Sequence, residues 1–149
     1  MKKIICFIFV LFLVGCSKEK YITCNIDVDN NIQNYNLTGV YKIYYNNNYV
    51  TKIEKQEKYI SGDEIVIDYF DEYINLEYYN LNDLYGGFEY EVEKNSESVT
   101  LNSTIDMNIV DVKKMLEDKY IDKDYTISNK LTTSGIVKIY ESKGAICDI

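Results

Sequence analysis

The stretch Tyr35–Ile60, YNLTGVYKIYYNNNYVTKIEKQEKYI, decides the fold. Tyr35, Leu37, Gly39, Tyr41, Ile43 and Tyr45 recur at every second position, the period at which a strand lines one face. Asn46-Asn47-Asn48 breaks the pattern with a residue type that tolerates the left-handed backbone of a tight hairpin. Tyr49, Thr51 and Ile53 resume the alternation, which runs to about Ile60. Two antiparallel strands are expected here. Tyr21–Asp27, ahead of a polar turn over Val28–Asn34, adds a third.

Downstream the period changes. Ser61-Gly-Asp-Glu64 has the spacing of a capping box, and an apolar periodic run follows it. Val66, Tyr69, Phe70, Tyr73 and Ile74 share one face of the expected helix, and Glu64, Asp68, Asp71, Glu72 and Asn75 the other. Gly86-Gly87 ends it. Phe88–Lys94 and Val99–Met107 then alternate across the turn Asn95-Ser96, a second hairpin. A short helix is expected over Asn108–Asp118, with Val112, Met115 and Leu116 inward. The last helix starts near Thr132 or Thr133 and buries Ile136, Ile139 and Tyr140. Lys143 suits its negative end, Gly144 stops it, and a closing strand carries Cys147. Hairpins grouped apart from helices predict an α+β fold: an antiparallel sheet with two or three helices packed on it, in a single domain over 21–149.

The front end reads differently. Lys2 and Lys3 precede Ile4–Val14, an apolar run of 11 residues, too short for a bilayer span, which takes about 18. Leu13-Val14-Gly15-Cys16 resembles a bacterial lipobox. The resemblance implies a diacylglyceryl group on the Cys16 sulfur and cleavage before it. Residues 1–15 are then a lipoprotein signal peptide, and 16–20 a short tether. Two acyl chains anchor stably where one does not, so the expected partner of Cys16 is a membrane. Ile, Asn, Lys and Tyr are abundant and Ala145 is the only alanine, which fits an AT-rich genome. A low-GC Gram-positive source would place the chain on the outer face of the cytoplasmic membrane.

Charge and absences close several routes. The chain has 16 Lys, 24 acids, no Arg and no His, for a net −8. Loss of residues 1–15 would leave 14 Lys against 24 acids, a net −10. Such a body does not bind nucleic acid through the phosphate backbone, and its negative charge should hold it off a membrane surface. Without His there is no Ser–His or Cys–His triad and no imidazole metal site. Of four cysteines, Cys6 leaves with the signal and Cys16 takes lipid. Cys24 and Cys147 remain, 123 residues apart, in strand-like stretches near opposite ends of the domain. A disulfide between them is expected of an exported chain, with a pair of buried thiols as the alternative.

The order of elements is similar to that of the YehR-like small bacterial lipoproteins, a family with no assigned function. The likeness rests on the lipobox, Thr23-Cys24, the acidic turn Asp27–Asn31, and the strands through Tyr41–Tyr44 and Val50–Ile53. It continues through the acidic helix, the hairpin of Glu89–Val92 with Val99–Met107, and the closing Gly144-Ala-Ile-Cys147. It implies a one-domain α+β lipoprotein and transfers no active site.

The remaining motifs are weak. Asp27-Val-Asp29-Asn-Asn31 spaces oxygens like the start of a calcium loop, but Ile32 and Thr38 stand where Gly and Glu belong. Ser17-Lys-Glu-Lys20 has the Ser-x-x-Lys spacing but sits in the tether, and Ser128-Asn-Lys130 lacks context. Asp68 and Glu72 lie one helical turn apart, within reach for paired-carboxylate chemistry. All 16 tyrosines follow the signal, and Tyr44, Tyr45 and Tyr49 flank the Asn turn as an expected exposed patch. No catalytic residue, cofactor or metal is expected. The resulting expectation is a lipid-anchored, non-catalytic binding or structural module that meets an envelope protein or glycan through a Tyr-lined sheet face. The alternative is an envelope hydrolase with paired carboxylates.

Overall fold

The structure is a computed structural model that describes residues 20–149. The stretch expected to be a signal peptide, 1–15, the expected lipidation site Cys16 and all but the last residue of the expected tether lie outside the described residues. The elements run β1 (Lys20–Asn30), β2 (Tyr35–Asn46), β3 (Tyr49–Ile60), α1 (Glu64–Tyr85), β4 (Phe88–Lys94), β5 (Ser98–Asp106), α2 (Val112–Glu117), β6 (Thr126–Ile127), β7 (Lys130–Leu131), α3 (Thr133–Ser142) and β8 (Ile146–Asp148). Six strands form one antiparallel sheet in the order β4-β5-β3-β2-β1-β8, and β6-β7 is a separate hairpin. This is the expected α+β architecture. No helix among the described residues is long and apolar enough to cross a membrane.

Opposed residues of antiparallel strands point the same way, so the register arranges the covered face in rows. One row is Ile22, Ile43, Ile53, Ile105 and Phe88; the next is Cys147, Cys24, Tyr41, Lys55, Ser103 and Tyr90. A third runs Ile26, Gly39, Glu57, Leu101 and Val92. All three helices cover this face. α3 packs on β1, β2 and the start of β3, with Ile136, Val137 and Tyr140 against Ile22, Ile26, Tyr41 and Ile43. α1 packs over β4 and β5, with Phe70, Ile74, Tyr78 and Leu81 against Phe88, Val99 and Leu101. The other face, with Asn25, Val40, Gln56, Asn102 and Glu91 in its central row, is open to solvent.

The chain departs from expectation at three places, the end of β1, the start of β3 and the cap of α1. β1 runs on to Asn30, so Val28 is a strand residue, and only 31–34 turn, with Asn34 at φ 58°. The Asn47 and Asn48 φ angles of 48° and 65° make the tight hairpin turn as expected, but the register then shifts between Tyr44 and Tyr45. Tyr45 faces Val50 and Tyr44 faces Lys52, which leaves Thr51 unpaired as a bulge. The bulge reverses the phase, so Val50 turns inward in place of Tyr49 and Thr51. Ser61 does not cap α1. Its hydroxyl donates to the Asn34 carbonyl (2.7 Å) and accepts from Asp63 N (3.0 Å), so Asp63 takes the cap by accepting from Ile65 N at 2.9 Å.

The buried stripe of α1 is Ile67, Phe70, Ile74, Tyr78, Leu81 and Tyr85. Tyr69 and Tyr73 are outside it, stacked on each other at the surface with ring centroids 5.8 Å apart. The helix carries two apolar stripes, and the core takes the one that repeats over all its turns. Cys24 and Cys147 face each other across β1 and β8 with their sulfurs at disulfide distance, 2.01 Å.

Candidate functional site

Two charged side chains stand in the covered face. In β3 the alternation Ile53, Lys55, Glu57, Tyr59 carries Lys55 and Glu57 beneath the helices, with side chains 14% and 7% exposed. An unpaired charge there is costly, and the surroundings supply partners. Glu57 Oε1 accepts from the Tyr41 hydroxyl at 2.7 Å, and Oε2 accepts from the Tyr59 hydroxyl at 3.0 Å. Lys55 Nζ lies 3.1 Å from Oε2, 5.4 Å from the centroid of the Tyr78 ring. Gly39, directly opposite Glu57, makes the room: a Cβ there would come within 2.7 Å of the Gln56 carbonyl and 3.2 Å of Glu57 Cγ.

Burial is the largest single influence on the Lys55 amine and lowers it, but attraction to Glu57 together with the Tyr78 and Tyr140 phenols outweighs burial and holds the amine well above the ordinary lysine range. Burial first and Glu57's charge second push the Tyr41 and Tyr59 phenols far up. Tyr140, stacked on Tyr41 with centroids 4.2 Å apart and planes 3° off parallel, is raised chiefly by burial.

Beside this network a cavity of about 140 Å³ opens where α1, α2 and α3 meet over β3. Leu81, Ile105, Met115, Ile136 and Ile139 are among its walls, Lys55 is in its floor, and Glu77, Tyr120 and Lys143 stand round it. Burial, then repulsion from Lys55, lowers the Lys143 amine. Burial pushes the Tyr120 phenol up to about 12. Apolar walls of this volume receive a body the size of one benzene ring. The polar groups near it offer one end of such a ligand a cation or a carboxylate.

The residues singled out from the sequence lie elsewhere. Asp68 is on the solvent side of α1, its carboxylate 2.6 Å from Lys94, and Glu72 is exposed. Tyr44 and Tyr45 point to opposite faces of β2, so the expected Tyr-lined face does not form. Tyr35, Tyr41, Tyr45 and Tyr59 go to the covered side, and Tyr21 and Tyr44 to the open one. Ser128 and Asn129, at φ 51° and 58°, are the tight turn between β6 and β7. Asp27 and Asp29 lie in β1 rather than in a loop. Lys55 and Glu57 carry one signal in the sequence, two opposite charges at alternate positions between Ile53 and Tyr59.

Comparison with known proteins bears on the fold. No family model matches the sequence, and no curated protein does. The NMR structure of Escherichia coli YehR superposes with a TM-score of 0.56 at 17% identity, over 87% of this chain and 92% of that one. The chain shares the fold of YehR. An NMR structure of a Streptococcus pneumoniae TIGR4 protein also superposes, with a TM-score of 0.50 at 17% identity, over 99% of this chain and 97% of that one. At these identities the likeness to YehR is one of fold alone. The charged pair and the cavity are read from this chain's own residues.

Proposed function

We propose that the chain is a lipid-anchored lipoprotein of the bacterial envelope, YehR-like in kind, and a non-catalytic binding module whose ligand site is the cavity over β3. The observation that carries the binding reading is that cavity: apolar walls sized for one ring, with Lys55, Lys143 and Glu77 to orient a polar end. The saturation of Glu57 by three donors supports binding over hydrolysis, because a carboxylate held by two phenols and an amine is poorly placed to accept a proton. The anchor reading draws on the lipobox and places the domain outside the cytoplasmic membrane.

Ligand linkage tests the site. A one-ring compound that binds only the folded state, at ten times its Kd, adds about 1.4 kcal/mol of stability. Benzyl alcohol or benzoate should therefore raise the melting temperature of the parent chain and leave an Ile139→Trp variant, its cavity filled, unmoved. Equal shifts in both proteins would reject the cavity as the site.

A further inference from the structure

We propose that the outward face of α1 docks a basic amphipathic helix of a partner protein. This face lies away from the sheet and the cavity, so the inference stands apart from the ligand reading. The core stripe, Ile67, Phe70, Ile74, Tyr78, Leu81 and Tyr85, takes one side of the helix. Ile65, Tyr69, Tyr73 and Leu76 follow one another on the other side at steps of four, four and three, and Tyr79 and Leu84 flank the continuation.

All six of these side chains are exposed, Ile65 by 79% and Leu76 by 62%. An exposed leucine on its own is ordinary. A line of apolar side chains about 28 Å long, on a helix already packed on its sheet, has the reach of a helix–helix contact. Tyr69 and Tyr73 are already stacked, ring centroids 5.8 Å apart, so a partner has little left to order there.

Charge decides the occupant. α1 carries six acids, Glu64, Asp68, Asp71, Glu72, Glu77 and Asp83, and no lysine. Glu72 stands between Tyr69 and Leu76, and Asp83 precedes Leu84; both are exposed. Among the described residues neither is in an ion pair. The lysines of neighbouring elements are engaged elsewhere. Lys94 binds Asp68 at 2.6 Å and stands 3.9 Å from Asp71, Lys114 binds Asp118 at 2.6 Å, and Lys55 is held by Glu57 beneath the helix. Lys143 stands with Glu77 at the cavity, and Lys113, Lys119 and Lys123 line a groove to which α1 gives no residue. A second copy would set the same acids against each other, and an anionic lipid surface would repel them. A helix with lysines or arginines beside its own apolar stripe answers both features, amine on carboxylate and ridge in groove.

The chain has no tryptophan, so single replacements report their own surroundings. The full chain is held in phosphatidylcholine nanodiscs and titrated with a helical peptide of Leu-Lys-Lys-Leu-Leu-Lys-Leu repeats. Leu76→Trp emission should move to the blue and saturate at one peptide per chain, as should that of Tyr79→Trp, a second reporter if the first disturbs folding. Ile146→Trp, on the opposite edge strand, should not move. Glu72→Lys/Asp83→Lys, added to Leu76→Trp, should weaken binding about tenfold or more. Glu89→Lys/Glu91→Lys makes the same charge change on the open sheet face and should leave affinity within about twofold. Equal weakening by the two pairs of reversals reduces the attraction to overall charge and overturns the proposal. So does equal binding of a peptide with glutamate in place of lysine, which leaves apolar contact alone. Blue emission from Leu76→Trp before any peptide is added means that lipid or a second copy already covers the stripe, and it rejects the basic partner.

Discussion

Glu57→Gln keeps the shape of the side chain and removes its charge, leaving Lys55 as a cation beneath the helices. At 3.1 Å and an effective dielectric near 20, the lost attraction is about 5 kcal/mol before relaxation. Breaking a buried pair by removing one partner typically costs about 3–5 kcal/mol, and the hydrogen bonds point the same way. Three donors converge on the carboxylate, from Tyr41, Tyr59 and Lys55, and an amide has one oxygen to offer them. The expected loss is about 3–5 kcal/mol, roughly a fifth or more of the stability of an ordinary domain. Lys55→Met/Glu57→Gln takes away both charges and leaves the amide oxygen for Tyr41. That double variant should be more stable than Glu57→Gln alone by about 1–2 kcal/mol. Urea unfolding followed by far-ultraviolet circular dichroism reads both values. A Glu57→Gln protein within about 1 kcal/mol of the parent, or a double variant weaker than the single, would refute the reasoning.

Thiol labelling of the native chain should find neither Cys24 nor Cys147 reactive. Reduction should lower stability by up to about 4.7 kcal/mol, the chain-entropy value for a loop of some 100 residues; quantitative labelling of both sulfurs contradicts the bridge. Tyr41, Tyr59 and Tyr140 all have folded values above the unfolded one, so their contribution is whole below about pH 10 and is lost as pH rises beyond it. Lys55 acts with the same sign, whereas the penalty on charged Lys143 fades as pH rises. The urea midpoint should fall above about pH 10, and a flat profile to about pH 11.5 would contradict this. Gly135→Ala puts a Cβ against the Tyr125 carbonyl under α3 and should cost about 1–3 kcal/mol, while Gly62→Ala, with open space around it, should leave the melting temperature nearly unchanged.

Much of the fold is legible because period-two alternation and asparagine turns are local signals. β2, β4, β5 and the Asn46–Asn48 turn follow directly from them. The phase of β3 does not, because a bulge at Thr51 is set by the pairing of two strands and leaves no mark in either. The inward face of α1 is equally ambiguous in sequence: Tyr69 and Tyr73 have helical spacing as good as that of Phe70 and Ile74, and only the sheet beneath selects between them. The β6–β7 hairpin is too short to show a period. The candidate site is the least legible part. Lys55 and Glu57 read as surface charges in a strand whose alternation implies one exposed face, and the cavity beside them is a product of three helices meeting. The signal that was present is chemical: two opposite charges at alternate positions between Ile53 and Tyr59 require partners if that face is covered.

The most direct test of the binding reading is a two-dimensional amide titration of the labelled chain with benzoate and with benzyl alcohol. Shifts confined to Lys55, Tyr78, Met115, Ile136 and Tyr140, saturating with one equivalent bound and absent in Ile139→Trp, are the predicted result. Shifts scattered over the open sheet face, or none up to the solubility limit of either compound, would contradict it.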